Sequence, residues 1–413
     1  MIIMDDKYKS FPYEEYKEHN RKLQNEMKKL GLDALLLSTP ENIYYSTGYR
    51  SWYTSSLFRP VYVLVPQEGD PAIVLRILEK STVKFTSWTP NIYCWGTPSR
   101  NLGKLDAKDP VDAIQKIIKD LAPNTKTIGL EAGDGLQYFW SLSLLKDIID
   151  SLPNISFVDG SKAIQFARMI KTPWEIERIR YVCKVTENAI YDTAKNIIPG
   201  ISTEKDVSKG IAKRMAEGGV DKISYLTVTS GEMKYTTFNT YATDRVIQEG
   251  DLVLVDISGH IDGYASDLTR VFYMGNLAPQ SEYLDMATVA YNSVVAGQSN
   301  MKPGIKVSDI NKIMEGYISN TKYKDYLVHS SGHSIGLNVV EFPTINDDTH
   351  TLLEPNMVFA IEQGVYPFKK EEGAEHIYLS FRYEDEVLVT ETGAEWITGP
   401  GKPLYDMNDL KKM

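Results

Sequence analysis

The sequence is poor in cysteine. Its 413 residues include only two, Cys94 and Cys183, and these lie far apart along the chain. Two separated cysteines argue against a disulfide framework and against a cysteine-based metal site, and they fit a reducing compartment. The expected localisation is therefore the cytoplasm.

Excess positive charge and long apolar runs are lacking as well. The formal net charge is −10, whereas a nucleic-acid-binding surface needs a basic stripe. No stretch approaches the run of about 18 apolar residues that a transmembrane helix requires. The opening residues MIIMDDKYKSF turn acidic without the apolar core of a signal peptide. We therefore expect neither a nucleic-acid partner nor a membrane partner.

What is present is an ordinary globular composition, arranged in two contrasting parts. Hydrophobic residues make up 42% and charged residues 24% of a chain that is long enough for two or three domains. Up to about residue 161, helical patterns alternate with short apolar strands, which predicts an α/β unit with a layered sheet. The expected first domain spans residues 1–163.

The second part begins with helices and continues with hairpins. Thr172, Pro173 and Glu175 have the spacing of an N-cap, a first helical residue and the third residue of a capping box. A pair of helices followed by strands occurs over 172–275 and again, loosely, over 282–395. The sequence therefore predicts an α+β domain over residues 164–413 with an internal pseudo-repeat.

The strongest local signal is LVLVDISGHIDGYASDLTRVF, in which Asp262-Gly263 predicts a two-residue hairpin turn. With these two residues at the centre of the turn, Thr269 faces Asp256. Asp256 and Asp267 then share one sheet face as diagonal neighbours, about 7 Å apart. Two carboxylates on an apolar face repel each other unless a cation lies between them, so one or two divalent ions are expected. The alternative is that this face is solvated.

Three further residues have the right chemistry for such a site. Glu362 and Glu384 interrupt apolar strands, and His333 lies in HSSGHSIGL. Each has a structural alternative, an outer salt bridge for the glutamates and a packed turn for the histidine. Oxygen ligands with one imidazole suit Mn, Co, Fe or Zn, and the absence of cysteine ligands argues against a structural zinc site.

The motifs VDISGHIDGYASDLTR, GHSIGL, EPNMVFAIEQGVY and FRYEDEVLVTETGAE resemble those of the pita-bread metallopeptidases. That family includes prolidase, aminopeptidase P, methionine aminopeptidase and creatinase. The likeness spans roughly residues 165–400. The earlier segment LDALLLSTPENIYYSTGYRS resembles the creatinase-type N-terminal domain. The resemblance implies a pita-bread catalytic domain behind a smaller α/β domain.

The resemblance also implies a role for each ligand. Asp267 and Glu384 would each bridge two metal ions, Asp256 would bind one ion, and His333 and Glu362 would bind the other. A water between the ions would be the nucleophile, with Glu362 as general base. The negative charges of four carboxylates would balance the positive charges of two divalent cations. Manganese is the expected metal. The remaining predicted catalytic residues are His329, at a retained family position, and Arg382, which would hold a substrate carboxylate.

The chain differs from the peptidases at two positions where their histidines contact the peptide substrate. They carry histidines at the positions of Val340 and Asn239, and valine can neither donate nor accept a hydrogen bond. His376 could partly substitute. In the N-terminal domain, Trp52 and Tyr53 belong to an aromatic cluster which the resemblance places at the active site of a partner subunit, and this implies a homodimer.

Three functions remain open at this stage. The first is a dinuclear metallohydrolase that cleaves a C–N bond in a small substrate, as an Xaa-Pro dipeptidase does. The second is a relative acting on a small zwitterion, as dimethylsulfoniopropionate lyase, creatinase and ectoine hydrolase do. The third is a catalytically silent binding protein, which the retained ligands disfavour.

Overall fold

The computed structural model describes residues 13–56, 58–97, 102–133, 135–136, 141–231, 239–371, 374–377 and 381–413, with the side chains of 368–371 and 374–377 left aside. The chain divides into two compact units, residues 1–168 and 169–413. Among the described residues, no helix is both long enough and apolar enough to cross a membrane.

The first unit is an α/β layer structure, as the alternating pattern predicts. Its helices are α1 (Tyr13–Leu30), α2 (Pro40–Thr47), α3 (Lys80–Thr86), α4 (Pro110–Leu121), α5 (Leu142–Ser151) and α6 (Ser161–Met169), the last of which ends at the first residue of the second unit. Its strands are β1 (Ala34–Leu37), β2 (Tyr62–Pro66), β3 (Ala72–Arg76), β4 (Asn91–Trp95), β5 (Thr127–Leu130) and β6 (Ser156–Asp159). The strands form one sheet in the order β4-β3-β2-β1-β5-β6. Helix α4 and the apolar residues of β1, β2, β3 and β5 form its core.

The second unit contains the helices α7 (Pro173–Ala194), α8 (Glu204–Glu217), α9 (Glu282–Asn300), α10 (Val307–Ser319) and α11 (Met407–Lys412). The predicted capping box opens α7, since the Thr172 side chain accepts from the Glu175 backbone and the Glu175 side chain accepts from the Thr172 backbone. Helix α7 ends at Ala194. The segment after it approaches Pro199, whose ring disfavours helical geometry in the preceding residue.

The strands of the second unit are β7 (Lys222–Ser230), β8 (Leu252–Ile261), β9 (Tyr264–Ala265), β10 (Leu268–Tyr273), β11 (Gly332–Ser334), β12 (Glu341–Thr344), β13 (Val358–Val365), β14 (Phe368–Glu371), β15 (Ala374–Ile377), β16 (Phe381–Val389), β17 (Ala394–Trp396) and β18 (Tyr405–Asp406). The main sheet has the order β12-β11-β13-β16-β10-β8-β7, with β9, β17 and β18 at its margins. Strands β14 and β15 form a separate pair. A helix pair followed by strands occurs twice, so the predicted α+β class and pseudo-repeat order are confirmed.

The two faces of strand β8 have different environments. Val253, Val255 and Ile257 pack into a core built with α7 and α8. Because side chains alternate along a strand, Asp256 and Ser258 point away from that core. Helices α7 and α8 thus bury one face of the sheet. On the other face Leu252 and Leu254 pack with α9, and the candidate site lies beside them, at Asp256 and Ser258.

Candidate metal centre

The predicted hairpin sets the register of the site. Asp262 and Gly263 both have positive φ, 50° and 86°, as the two central residues of a tight hairpin turn require. Strands β8 and β10 then pair as the turn predicts, with Thr269 opposite Asp256. One expected detail differs, since the return strand is interrupted at Ser266 and Asp267. This interruption frees the Asp267 backbone from the ladder.

A row of polar residues crosses four neighbouring strands. Asp256 on β8 faces Thr269 on β10, Thr269 faces Glu384 on β16, and Glu384 faces Glu362 on β13. Four strands from two distant parts of the chain thus bring three acidic side chains into one line across the sheet. Thr269 links the row, because its hydroxyl donates to Glu384 Oε2 at 2.7 Å.

His333 reaches this row from strand β11. Gly332 before it has a φ of 120°, and a Cβ there would lie 2.2 Å from the Ala360 carbonyl oxygen, so the close approach of β11 to β13 requires glycine. The Nδ1 atom of His333 lies 3.1 Å from the Ser334 carbonyl, which can only accept. Nδ1 therefore carries the proton, and the Nε2 lone pair is available for a metal.

Asp267, His333 and Glu384 form one compact cluster. Each offers a ligand atom, and these atoms all lie within 4.8 Å of one another. The distance from His333 Nε2 to Asp267 Oδ2 is 3.6 Å. Burial and the charges of neighbouring carboxylates raise the pKa of Asp267 and the pKa of Glu384 well above their ordinary values. A buried group of mutually repelling carboxylates with one imidazole is a donor set that suits a divalent cation.

The other two predicted ligands, Asp256 and Glu362, flank this cluster, and the guanidinium of Arg382 lies near both carboxylates. Arg382 forms a buried ion pair with Asp256 Oδ2, and its Nε lies 4.0 Å from Glu362 Oε2. Within the described part of the chain, the buried Asp256 Oδ1 has no hydrogen-bond partner. A buried carboxylate oxygen without a donor is unfavourable, and a divalent ion would satisfy it. The residues present therefore fit a dinuclear centre.

Several residues behind the ligands were missed by the sequence analysis. The Tyr225 phenol donates to Asp267 Oδ1, and the Asp267 backbone N–H donates to Glu386 Oε1 at 2.6 Å. Glu386 is fully buried, and burial raises its pKa to about 7. On the opposite side of the sheet, the buried Arg270 donates to the Glu384 carbonyl oxygen at 2.7 Å. The strand alternation that groups Glu386 with Glu384 was the one available signal.

His329, the other predicted catalytic histidine, is half-buried beside Tyr366. Its Nδ1 lies 2.7 Å from the Ser330 carbonyl oxygen, and its Nε2 lies 2.5 Å from the Tyr366 hydroxyl. The carbonyl must accept from Nδ1–H, so in the neutral ring Nε2 accepts from the phenol. His329 thus has a defined tautomer.

The contacts among the described residues do not bring the predicted substrate-binding residues together at one site. Val340 is 55% exposed and lies between His333 and strand β12, and Asn239 is also exposed. His376 lies on β15 opposite Lys369, but its side chain is outside the described residues. Trp52 and Tyr53 belong to the first unit, where Trp52 is 75% exposed and Tyr53 is buried. Their substrate roles stay predictions.

Comparisons with known proteins identify the class to which this fold and donor set belong. Residues 177–391 match the model of metallopeptidase family M24, and residues 20–170 match the creatinase/prolidase N-terminal domain. The chain belongs to metallopeptidase family M24, a family of dinuclear metal-dependent hydrolases. The resemblance inferred from the motifs is confirmed.

Individual relatives agree over nearly the whole chain. An Xaa-Pro dipeptidase of Pyrococcus furiosus is 27% identical over 92% of this chain and 98% of its own length. A putative dipeptidase of Bacillus subtilis is 28% identical over 92% of this chain and 96% of its own. The crystal structure of dipeptidase PepE from Mycobacterium ulcerans, 24% identical, superposes with a TM-score of 0.79 over 96% of this chain and 99% of its own, which supports the fold.

Proposed function

We propose that the chain is a dinuclear metallohydrolase that cleaves the peptide bond of an Xaa-Pro dipeptide. The observation that carries the proposal is the buried cluster of Asp267, His333 and Glu384, with ligand atoms within 4.8 Å of one another. Asp256 and Glu362 flank the cluster and complete the set of five ligands. The names of the Pyrococcus furiosus and Bacillus subtilis relatives support the substrate class.

When bound, two divalent ions supply Lewis-acid polarisation of a carbonyl group and a nucleophile derived from water at neutral pH. The protein must then move protons and hold the substrate. Glu362 is the most accessible carboxylate of the proposed set, with 20% of its side chain exposed, and it is the proposed general base. His329, whose Nε2 lies 2.5 Å from the Tyr366 hydroxyl, is the residue proposed to hold or pass a proton beside the substrate.

Arg382 has two roles in this proposal. In the structure its guanidinium binds Asp256, and its Nε lies 3.2 Å from the Thr269 hydroxyl. Asp256 would be one of the residues that hold an ion, and Arg382 would then share this carboxylate rather than bind it alone. A guanidinium that shares its partner in this way can also bind the carboxylate of a dipeptide in the bidentate geometry that arginine favours.

The identity of the ions and the assembly state are finer parts of the same proposal. We propose manganese as the resident metal, because the ligand set is rich in carboxylates and has one imidazole. We also propose a catalytic domain over residues 164–413, a homodimer in which Trp52 and Tyr53 lie at the partner's active site, and a cytoplasmic enzyme. The two cysteines are free and buried, which fits a reducing compartment.

The proposal is tested by a substrate panel with the Mn²⁺-loaded enzyme and, separately, with Fe²⁺, Co²⁺ or Zn²⁺. Met-Pro and Ala-Pro are assayed beside dimethylsulfoniopropionate, creatine and ectoine, with chelator-treated enzyme as the blank. Metal-dependent cleavage of the dipeptides is expected. Turnover of a zwitterion with no dipeptide cleavage would replace this proposal with the lyase or creatinase-like alternative, and no turnover of any compound would favour a binding protein.

A further inference from the structure

The hydroxyl of Ser258 lies on the metal-binding face of strand β8. Ser258 is 0% exposed, and within the described part of the chain its Oγ has no hydrogen-bond partner. It follows Asp256 by two residues, so both side chains leave β8 on the same face, opposite the core residue Ile257. Two buried oxygen atoms without partners among the described residues, Asp256 Oδ1 and Ser258 Oγ, thus belong to successive positions on one face of β8.

Ser258 also lies between two residues that bind each other. On the β7 side its direct partner is Tyr225. On the β10 side, the register that pairs Ile257 with Leu268 brings Asp267 alongside Ser258. The Tyr225 phenol donates to Asp267 Oδ1, so this hydrogen bond passes over the position of Ser258.

Other buried serines in the same unit have partners. The hydroxyl of Ser266 lies 2.7 Å from that of Thr186, Ser334 donates to the Val358 carbonyl at 2.9 Å, and Ser293 donates to the Met314 carbonyl at 2.7 Å. A buried hydroxyl without a partner is costly, and proteins keep few of them. The partner of Ser258 is therefore expected in a second state of the site.

We propose that Ser258 is a positioning residue of the metal centre, which completes a Tyr225–Ser258–Asp267 hydrogen-bond chain when the ions are bound. This inference rests on the proposed metal centre. Ligation draws on the lone pairs of the Asp267 carboxylate and weakens its direct bond to the phenol. The Tyr225 O–H then donates to Ser258 Oγ, and the Ser258 O–H donates to Asp267, which would hold this carboxylate in its ligand orientation.

The test compares Ser258→Ala with Ser293→Ala, two substitutions at serines that are both fully buried. The dissociation constant for Co²⁺ and the visible absorption spectrum of the Co²⁺ protein report on the ligand geometry, and the thermal midpoint of the metal-free protein reports on folding. Ser258→Ala is expected to weaken Co²⁺ binding about three- to tenfold, the worth of one neutral hydrogen bond, and to shift the Co²⁺ spectrum. Its metal-free midpoint should equal or exceed that of the wild type, because no existing hydrogen bond is lost.

Ser293→Ala is expected to behave in the opposite way. It removes a hydrogen bond within the helix layer, so its metal-free midpoint falls while the Co²⁺ spectrum stays unchanged. Tyr225→Phe and the double variant complete the comparison. A shared chain predicts that the double variant loses clearly less affinity than the product of the two single losses.

Three results would overturn the inference, and only the last of them also overturns the proposed function. If the wild type binds two Co²⁺ ions and Ser258→Ala has an unchanged affinity and spectrum, Ser258 has no part in the centre while the proposed function stands. Independent effects of Ser258→Ala and Tyr225→Phe lead to the same conclusion. If the wild type binds no Co²⁺, the metal centre itself is wrong and the inference fails with it.

Discussion

Arg382 is ion-paired with Asp256, and the two side chains are only 6% and 7% exposed. Removing one partner of a buried ion pair leaves the other charge uncompensated, which costs about 3–5 kcal/mol. Arg382→Met is therefore expected to lower the free energy of unfolding of the metal-free protein by about that amount. Added Mn²⁺ should restore a large part of the loss, because it would neutralise Asp256. Urea unfolding with and without Mn²⁺ measures both effects.

The matched control is Arg180→Met. Arg180 pairs with Glu395 on the surface, where the side chains are 41% and 50% exposed. Exposed pairs contribute about 0–1 kcal/mol, so this variant should unfold nearly as the wild type does. If both variants lose the same free energy of unfolding, the Arg382–Asp256 pair does not stabilise the buried carboxylates of the metal-free protein.

Asp267 is the next residue to test, because its proposed role is to bridge both ions. Asp267→Ala should abolish the binding of two ions per chain and lower kcat/KM by more than about a hundredfold, since even outer-shell partners cost about 10–100-fold. Elemental analysis after gel filtration measures the ions, and a dipeptide assay measures the activity. Asp244→Ala, at a surface residue paired with Lys205, is the control. Two ions retained in the Asp267 variant would contradict the bridging role.

The part of the site that the sequence predicted depends on short-range rules. The Asp262-Gly263 turn fixes the register of β8 and β10 through a two-residue geometry, so the pairing of Thr269 with Asp256 follows from the sequence. The capping box at Thr172 is equally local. Because residues two apart in a strand share a face, Glu384 and Arg382 lie on the same face of β16, in an uninterrupted pairing with β13.

What the sequence could not predict depends on long-range pairing and on irregular backbone. Tyr225 reaches Asp267 past a register shift between Ile223 and Tyr225 on strand β7, and periodicity does not reveal such bulges. Arg382 was predicted to bind the carboxylate of a substrate. Its actual partner Asp256 is 126 residues away in sequence, and only the order of the sheet brings them together.

A second buried ion pair supports the strand that carries His333. Lys171 Nζ lies 3.4 Å from Glu341 Oε2 and 3.1 Å from Ser334 Oγ, and both charged side chains are almost fully buried. Lys171→Met should therefore lower the free energy of unfolding by about 3–5 kcal/mol. It should also weaken Co²⁺ binding, because Ser334 follows His333 directly. Guanidinium unfolding and Co²⁺ titration measure the two effects.

Lys205→Met is the control for this pair, because Lys205 binds Asp244 at the surface. It should change neither the stability nor the Co²⁺ affinity appreciably. A Lys171 variant that loses stability and keeps the wild-type Co²⁺ affinity would limit the ion pair to a folding role. Wild-type behaviour in both assays would contradict the prediction altogether.

Cys94 predicts a pH dependence of stability in the first unit. Burial raises the pKa of this thiol from 9.0 to about 11. Between these values the thiol ionises in the unfolded chain and stays protonated in the folded one, so its contribution is fully present below pH 9 and is lost as the pH rises through 11. The loss is about 1.4 kcal/mol per pH unit across that window.

The test is Cys94→Val, which removes the titrating group and keeps an apolar side chain of similar size. The difference in unfolding free energy between wild type and variant should be constant from pH 7 to pH 8.5. It should then shift in favour of the variant as the pH approaches 10.5. A constant difference over the whole range would mean that the thiol ionises equally in both states.

Position 340 offers a test of whether the chain handles peptides as the resemblance implies. The side chain is 55% exposed, seven residues after His333, at a position where the pita-bread peptidases carry a histidine. An imidazole there could donate to the scissile carbonyl, which valine cannot do. Val340→His is expected to raise kcat/KM for Ala-Pro about tenfold, at the low end of what one well-placed proton donor contributes. Val340→Leu controls for side-chain size and should leave kcat/KM near the wild-type value. If the histidine variant binds two metal ions and gains nothing on Ala-Pro, position 340 does not set the substrate preference, and the exposed Asn239 becomes the next position to test.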